Sequence, residues 1–125
     1  MDNTEQHRQT WEAYAAAWQL PDAEGKARAL RATVDPGCVY RDPLTNAEGH
    51  AALIDYMIGF HQQVPGGYFK TTSFRAHGAR SVAVWNMCDA GGAVIGDGIS
   101  YGEYAADGKL LAICGFFDVP AQEGT

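Results

Sequence analysis

Two hydrophobic periodicities divide the chain: helical spacing dominates before Pro65, and a period of two takes over after Gly67. Trp11, Tyr14, Ala15 and Trp18 stand at i, i+3, i+4 and i+7, so two tryptophans and a tyrosine share one face of a first helix. Asn3 or Thr4 can cap its start. Leu20-Pro21-Asp22 breaks it near Gln19, because a residue before proline is pushed out of the α region. Asp22 can cap a second helix with a narrower stripe of Ala27, Leu30 and Val34, closed by a turn at Asp35-Pro36-Gly37. A short apolar strand, Val39-Tyr40, then runs into Arg41-Asp42 and stops at Pro43, which lacks an N–H. A polar loop leads to Gly49 and a third helix, in which Leu53, Ile54, Met57 and Ile58 repeat at helical spacing until Pro65-Gly66-Gly67 ends it.

Beyond that point the alternation predicts four strands, 68–77, 80–88, 93–104 and 110–119. The connections Gly78-Ala79, Asp89-Ala90-Gly91-Gly92 and Ala106-Asp107-Gly108 are short turns that suit antiparallel neighbours. Three helices followed by an antiparallel sheet give an α+β class, in one domain over residues 1–125 with residues 121–125 as a frayed tail. Both alternating faces of the strands are apolar: Val82 and Val84 on one side, Ala83, Trp85 and Met87 on the other, and both sides of 110–117. Three helices can cover only one side of such a sheet. A homodimer packed sheet against sheet would cover the other.

Composition narrows the function classes. A length of 125 residues with 46% hydrophobic positions suffices for a core without disulfides or metals. The net charge of −6 leaves no basic footprint for nucleic acid or anionic lipid, while permitting a cationic partner. Cys38, Cys88 and Cys114 cannot all pair within one chain, and each sits in an apolar run without metal-ligand spacing, which predicts buried thiols in a reducing cytosol. The polar start MDNTEQHRQ and the lack of a long apolar run predict a soluble cytoplasmic protein with no membrane segment.

The strands, once placed, give the chain a resemblance to the nuclear transport factor 2-like superfamily, in particular its SnoaL-like and ketosteroid-isomerase-like members. It is carried by Trp11-x-x-Tyr14-x-x-x-Trp18, Val39-Tyr40-Arg41-Asp42-Pro43, Gly49-His50-Ala51-Ala52-Leu53, Arg80-x-x-x-x-Trp85, Gly98-Ile99-Ser100, Asp107-Gly108-Lys109-Leu110 and Gly115-Phe116-Phe117-Asp118. The resemblance implies a cystatin-like cone: a strongly curved sheet wraps the first helix and encloses an apolar cavity. It places Asp42 where the isomerase-like members keep a general base and Tyr14 near their oxyanion-stabilising tyrosine. Their second acidic position falls on Ser100, whose hydroxyl donates more weakly to a developing enolate than a neutral carboxylic acid does. The Asp–Arg–Asp set of the epoxide-hydrolase members has no counterpart here. No cofactor is implied.

The residues therefore carry paired readings. Asp42, Tyr14 and Ser100 form a candidate catalytic set acting on an apolar molecule with a carbonyl or similar polar handle. Against this, Asp42 can simply make an Asx turn before Pro43, and Tyr14 can be core packing. Ser100 lies between Gly98 and Gly102 on a face almost without side chains, which predicts either space for a ligand or a bulged strand. Asp97 is expected toward solvent or a dimer contact. Trp18, Met57, His61, Trp85, Met87, Ile113 and Phe117 are expected as cavity wall, His61 also as a possible proton relay together with His77, and His7 and His50 as solvated. Arg41 and Arg75 could pair with acids at the rim. No metal site is spaced in the sequence. Three functions compete: a cofactor-independent isomerase or lyase using Asp42, a non-catalytic binder with the same cavity, and an interaction module working through its sheet face.

Overall fold

The structure, a computed structural model, describes residues 3–119, so the expected tail at 121–125 lies outside the described residues. Helix α1 (Thr4–Ala17) presents the predicted aromatic face inward, burying Trp11 and Tyr14, with Trp18 buried just beyond its end. Asn3 makes no side-chain cap. Asp22 does cap α2 (Ala23–Thr33), its Oδ1 accepting the Gly25 N–H at 2.7 Å. Val34 is not helical as its spacing suggested. It opens strand β1 (Val34–Asp42), which takes in Asp35-Pro36-Gly37 as an irregular strand segment rather than a turn.

Strand β2 (Thr45–Glu48) was legible only as a polar loop, because four mixed residues carry no alternation long enough to read. It pairs with β1 through a tight link at Pro43-Leu44. Helix α3 (Gly49–Gln63) follows, then β3 (Tyr68–His77), β4 (Arg80–Cys88), β5 (Val94–Tyr104) and β6 (Leu110–Phe116). The spatial order is β2-β1-β6-β5-β4-β3. The class is α+β, as expected, with one correction. The sheet is mixed, because β1 and β6 run parallel, the long connection between them allowing a crossover that a hairpin forbids. Register shifts interrupt four of the five strand pairings, and such bulges bend and twist strands enough to curl the sheet around α1.

The junction of α1 and α2 rests on a lysine. Lys26 is 0% exposed, and its Nζ donates to the carbonyls of Ala17, Trp18 and Leu20 at 3.0, 3.2 and 2.7 Å. A cation on the last carbonyls of a helix satisfies orphan acceptors and opposes the macrodipole. Burial lowers the Lys26 pKa, and the nearby Asp22 charge resists that shift. The outer face of the sheet is apolar and open: Val82, Val84, Ile99, Leu111 and Phe116 are all exposed. Cys38 and Cys88 are buried thiols, whereas Cys114 is only half-buried, since Ile113 beside it takes the inward position and leaves Cys114 on the outer face.

Candidate functional site

Between the inner face of the sheet and helices α1 and α3 lies a cavity of about 620 Å³. Its wall is built around Trp18, whose indole contacts the rings of Tyr40, Tyr56, Phe60 and Phe69 at centroid distances of 5.3–6.0 Å. Trp85, on β4, continues the wall between Phe69 and Phe117. These rings converge because α1 delivers Trp18 at its end, α3 presents Tyr56 and Phe60 four residues apart, and the strands alternate Phe69 and Trp85 inward.

Asp42 closes β1 and borders the cavity. Its Oδ1 accepts the backbone N–H groups of Leu44 and Thr45 at 2.8 and 3.1 Å, which is the expected Asx turn. Its Oδ2 accepts the hydroxyls of Tyr40 at 2.6 Å and Tyr56 at 2.8 Å. The Asx-turn reading is thus realised on one oxygen, while the other, on the cavity side, is taken up by two phenols. A carboxylate offers about four lone-pair sites, and four donors occupy them. A proton drawn from a substrate could reach Asp42 only if one donor let go.

Two other hydroxyls are in the opposite condition. Tyr14 (3% exposed) accepts the Trp18 Nε1–H at 3.1 Å, and Ser100 (7% exposed) accepts the Trp85 Nε1–H at 2.9 Å. Neither hydroxyl hydrogen has an acceptor among the described residues, and both residues line the cavity. An indole can only donate, so each tryptophan turns its hydroxyl partner into an available donor. Burial drives the pKa of Tyr14 well above the usual phenol value, with the hydrogen bond from Trp18 pulling the other way. Burial also raises Tyr40 and Tyr56, helped by the neighbouring Asp42. All three stay protonated near neutral pH. Ser100 and Asp42 stand on either side of Gly115, where a Cβ would sit 3.6 Å from Ser100 Oγ and 3.4 Å from Asp42 Cβ.

Of the residues expected in the site, Asp42, Tyr14, Ser100, Trp18, Trp85, Met87 and Phe117 border the cavity, and Met57, His61 and Ile113 do not. Met57 and Ile113 point from helix and sheet into solid core, at 0% and 1% exposure. His61 lies off the cavity, where burial, then the Lys26 charge, lowers its pKa. The glycine-lined face around Ser100 is not open along its length. A Cβ at Gly98 would overlap the Trp85 indole, and one at Gly102 would press on Leu110. Asp97 is exposed and pairs with Asn86 on the sheet face of Val84 and Ile99, in line with the expectation, although the residue also touches the cavity edge. His7 is buried against Tyr104, centroids 3.9 Å apart, and His50 Nε2 lies 2.8 Å from the Val34 carbonyl, so neither is solvated as expected. His77, Arg41 and Arg75 are exposed and away from the cavity, and neither arginine forms an ion pair among the described residues.

Sequence reasoning missed Tyr40 and Tyr56 as partners of Asp42. Tyr40 was visible two residues before Asp42 on the same strand face, whereas Tyr56 arrives from another element. Among the described residues, no group of three or more His, Cys, Asp or Glu side chains could hold a metal ion, and no helix is long and apolar enough to cross a membrane.

Comparison with solved structures gives the fold a setting. A candidate isomerase of the SnoaL-like family from Agrobacterium tumefaciens superposes with a TM-score of 0.84 at 23% identity, over 92% of this chain and 99% of that one. A cystatin-like protein of unknown function from Methylobium petroleophilum gives 0.76 at 16% identity, over 98% and 82% of the two chains. A candidate ketosteroid isomerase from Kribbella flavida gives 0.67 at 18% identity, over 100% and 87%. At these identities the likeness speaks for the fold. No curated protein matches the chain. The family model of the SnoaL-like domain matches residues 11–113, which spans α1 to β6 and nearly all of the cavity wall, and the chain therefore belongs to the SnoaL-like domain family.

Proposed function

We propose that this SnoaL-like domain binds a small, mostly apolar molecule in its cavity and holds it by an oxygen atom, with the hydroxyls of Tyr14 and Ser100 as donors. The observation that carries the reading is the pair of buried hydroxyls, each accepting from an indole and each left with an unspent hydrogen beside about 620 Å³ of aromatic-walled space. A buried donor without an acceptor is costly, and a ligand carbonyl would relieve it. Aromatic walls with a few polar groups are the usual make-up of a small-molecule pocket.

Proton transfer at Asp42 is the second reading, favoured by its place on the cavity wall across Gly115 from Ser100. Solved relatives described as candidate isomerases lend it weight, although their chemistry is theirs. Against it stand the four donors that saturate the carboxylate. The reading includes a homodimer formed through the apolar outer face of the sheet. The three free thiols support a reducing, cytoplasmic setting.

Calorimetric titration with 2-acetylnaphthalene and its carbonyl-free analogue 2-ethylnaphthalene tests the binding reading. The ketone should bind more tightly, and Tyr14→Phe or Ser100→Ala should each cost it about tenfold, the worth of a hydrogen bond in a dry site. Equal affinities for the two probes, or unchanged affinity in both variants, would remove the two donors from the account.

A further inference from the structure

We infer that the cavity selects a ligand that also carries a positive charge, an organic ammonium on an apolar body; this rests on the reading of the cavity as a ligand site. Asp42, Asp55 and Asp118 border the cavity; Asp97 touches its edge too, but the sheet register turns that side chain to the face of Val84 and Ile99, and among the described residues no Lys, Arg or His borders the cavity. Asp55 and Asp118 are exposed and come from α3 and the segment after β6, so they stand at the mouth, with the half-buried Asp42 further in. Among the described residues none of these three has an ion-pair partner, and Asp42 takes only neutral donors.

A cleft with one sign of charge and low-dielectric walls focuses its field on whatever enters. The wall behind the mouth reinforces that sign. Trp18, Trp85, Tyr56, Phe60 and Phe69 all border the cavity, and aromatic rings attract cations through their quadrupoles. Tyr40 and Tyr56 spend their hydrogens on Asp42, so their oxygens are left as acceptors. The buried donors of Tyr14 and Ser100 line the same cavity deeper in, so the ligand has an acceptor oxygen for the interior as well as a cationic group. A bare metal ion fits poorly, since the carboxylates do not gather into a group that could hold one. Anionic ligands meet the same field with the wrong sign.

All three tryptophans of the chain, Trp11, Trp18 and Trp85, border the cavity, so intrinsic fluorescence reports on it directly. The probes are benzyltrimethylammonium, its uncharged carbon isostere neopentylbenzene, and benzenesulfonate, titrated at low salt and again at high salt. The cation should bind at least about tenfold more tightly than the isostere at low salt, and benzenesulfonate most weakly. Added salt should narrow the gap. The double variant Asp55→Asn, Asp118→Asn should lose most of the preference while keeping its affinity for neopentylbenzene, which also shows that it is folded. Equal affinity for cation and isostere, or an undiminished preference in the double variant, overturns the charge inference and leaves the cavity as a binding site. Failure of every probe, 2-acetylnaphthalene included, overturns the binding reading and this inference with it.

Discussion

Asp42 illustrates how one side chain can be legible and yet misread. Its place at the end of an apolar strand before Pro43 marked both a turn and a cavity edge, and both are present. What the sequence could not display was Tyr56, 14 positions away, arriving from α3 to share Oδ2 with Tyr40. That crowding changes the expected behaviour of Asp42→Asn. An amide presents two hydrogens where the native oxygen accepted two, so either the turn or the phenol pair loses its acceptor. The variant should lose about 2 kcal/mol of stability in urea denaturation, rather than leave the fold untouched. The same variant addresses the second reading. Solvent deuterium exchange into the methyl group of 2-acetylnaphthalene, catalysed by the wild type and lost in Asp42→Asn, would establish proton transfer. No catalysed exchange in the wild type would reduce Asp42 to a structural and electrostatic part.

Helices and strands were largely written in the spacing of apolar residues, because each long element buries one continuous face and must repeat at its own period. The α1 face and the four C-terminal strands follow that rule. Misses fall where the period is too short to register or where a tertiary partner decides. Strand β2 has four residues, and Val34 leaves α2 because β1 begins there. Lys26 is the clearest case. An ordinary-looking lysine on the second helix ends up fully buried, its ammonium closing the C-terminus of the first, and only the meeting of α1 with α2 shows it. This junction sets Trp18 in the cavity wall. Lys26→Met keeps the stem's packing but leaves three carbonyls without their donor, and should cost about 2–3 kcal/mol, read as a fall in thermal midpoint with weakened ligand binding. A midpoint within a degree of wild type would mean that α1 terminates without the ammonium.

For the whole molecule, the sheet's two apolar faces have separate uses. Helices cover the inner face and the cavity occupies what they leave, while Val82, Val84, Ile99, Leu111 and Phe116 remain exposed on the outer face. The alternation in the strands already announced two apolar sides; the curvature and the cavity came only with the family resemblance, because apolar spacing encodes neither bulge positions nor which rings fill the interior. Met57 and Ile113 fill it, and Trp18 and Trp85 only line it. The proposed homodimer should sediment at twice the 13.5 kDa chain mass at micromolar concentration, and Val84→Lys combined with Phe116→Glu should shift it to monomer without unfolding. A wild type that sediments as a monomer throughout that range would contradict the dimer.

The account as a whole turns on two hydroxyls that indoles have made into donors. The most direct measurement is the infrared carbonyl stretch of 2-acetylnaphthalene bound in the cavity, compared between the wild type and the Tyr14→Phe, Ser100→Ala double variant. The account predicts a stretch well below its value in hexane for the wild type, moving back toward the hexane value in the double variant. The same frequency in both proteins would contradict it.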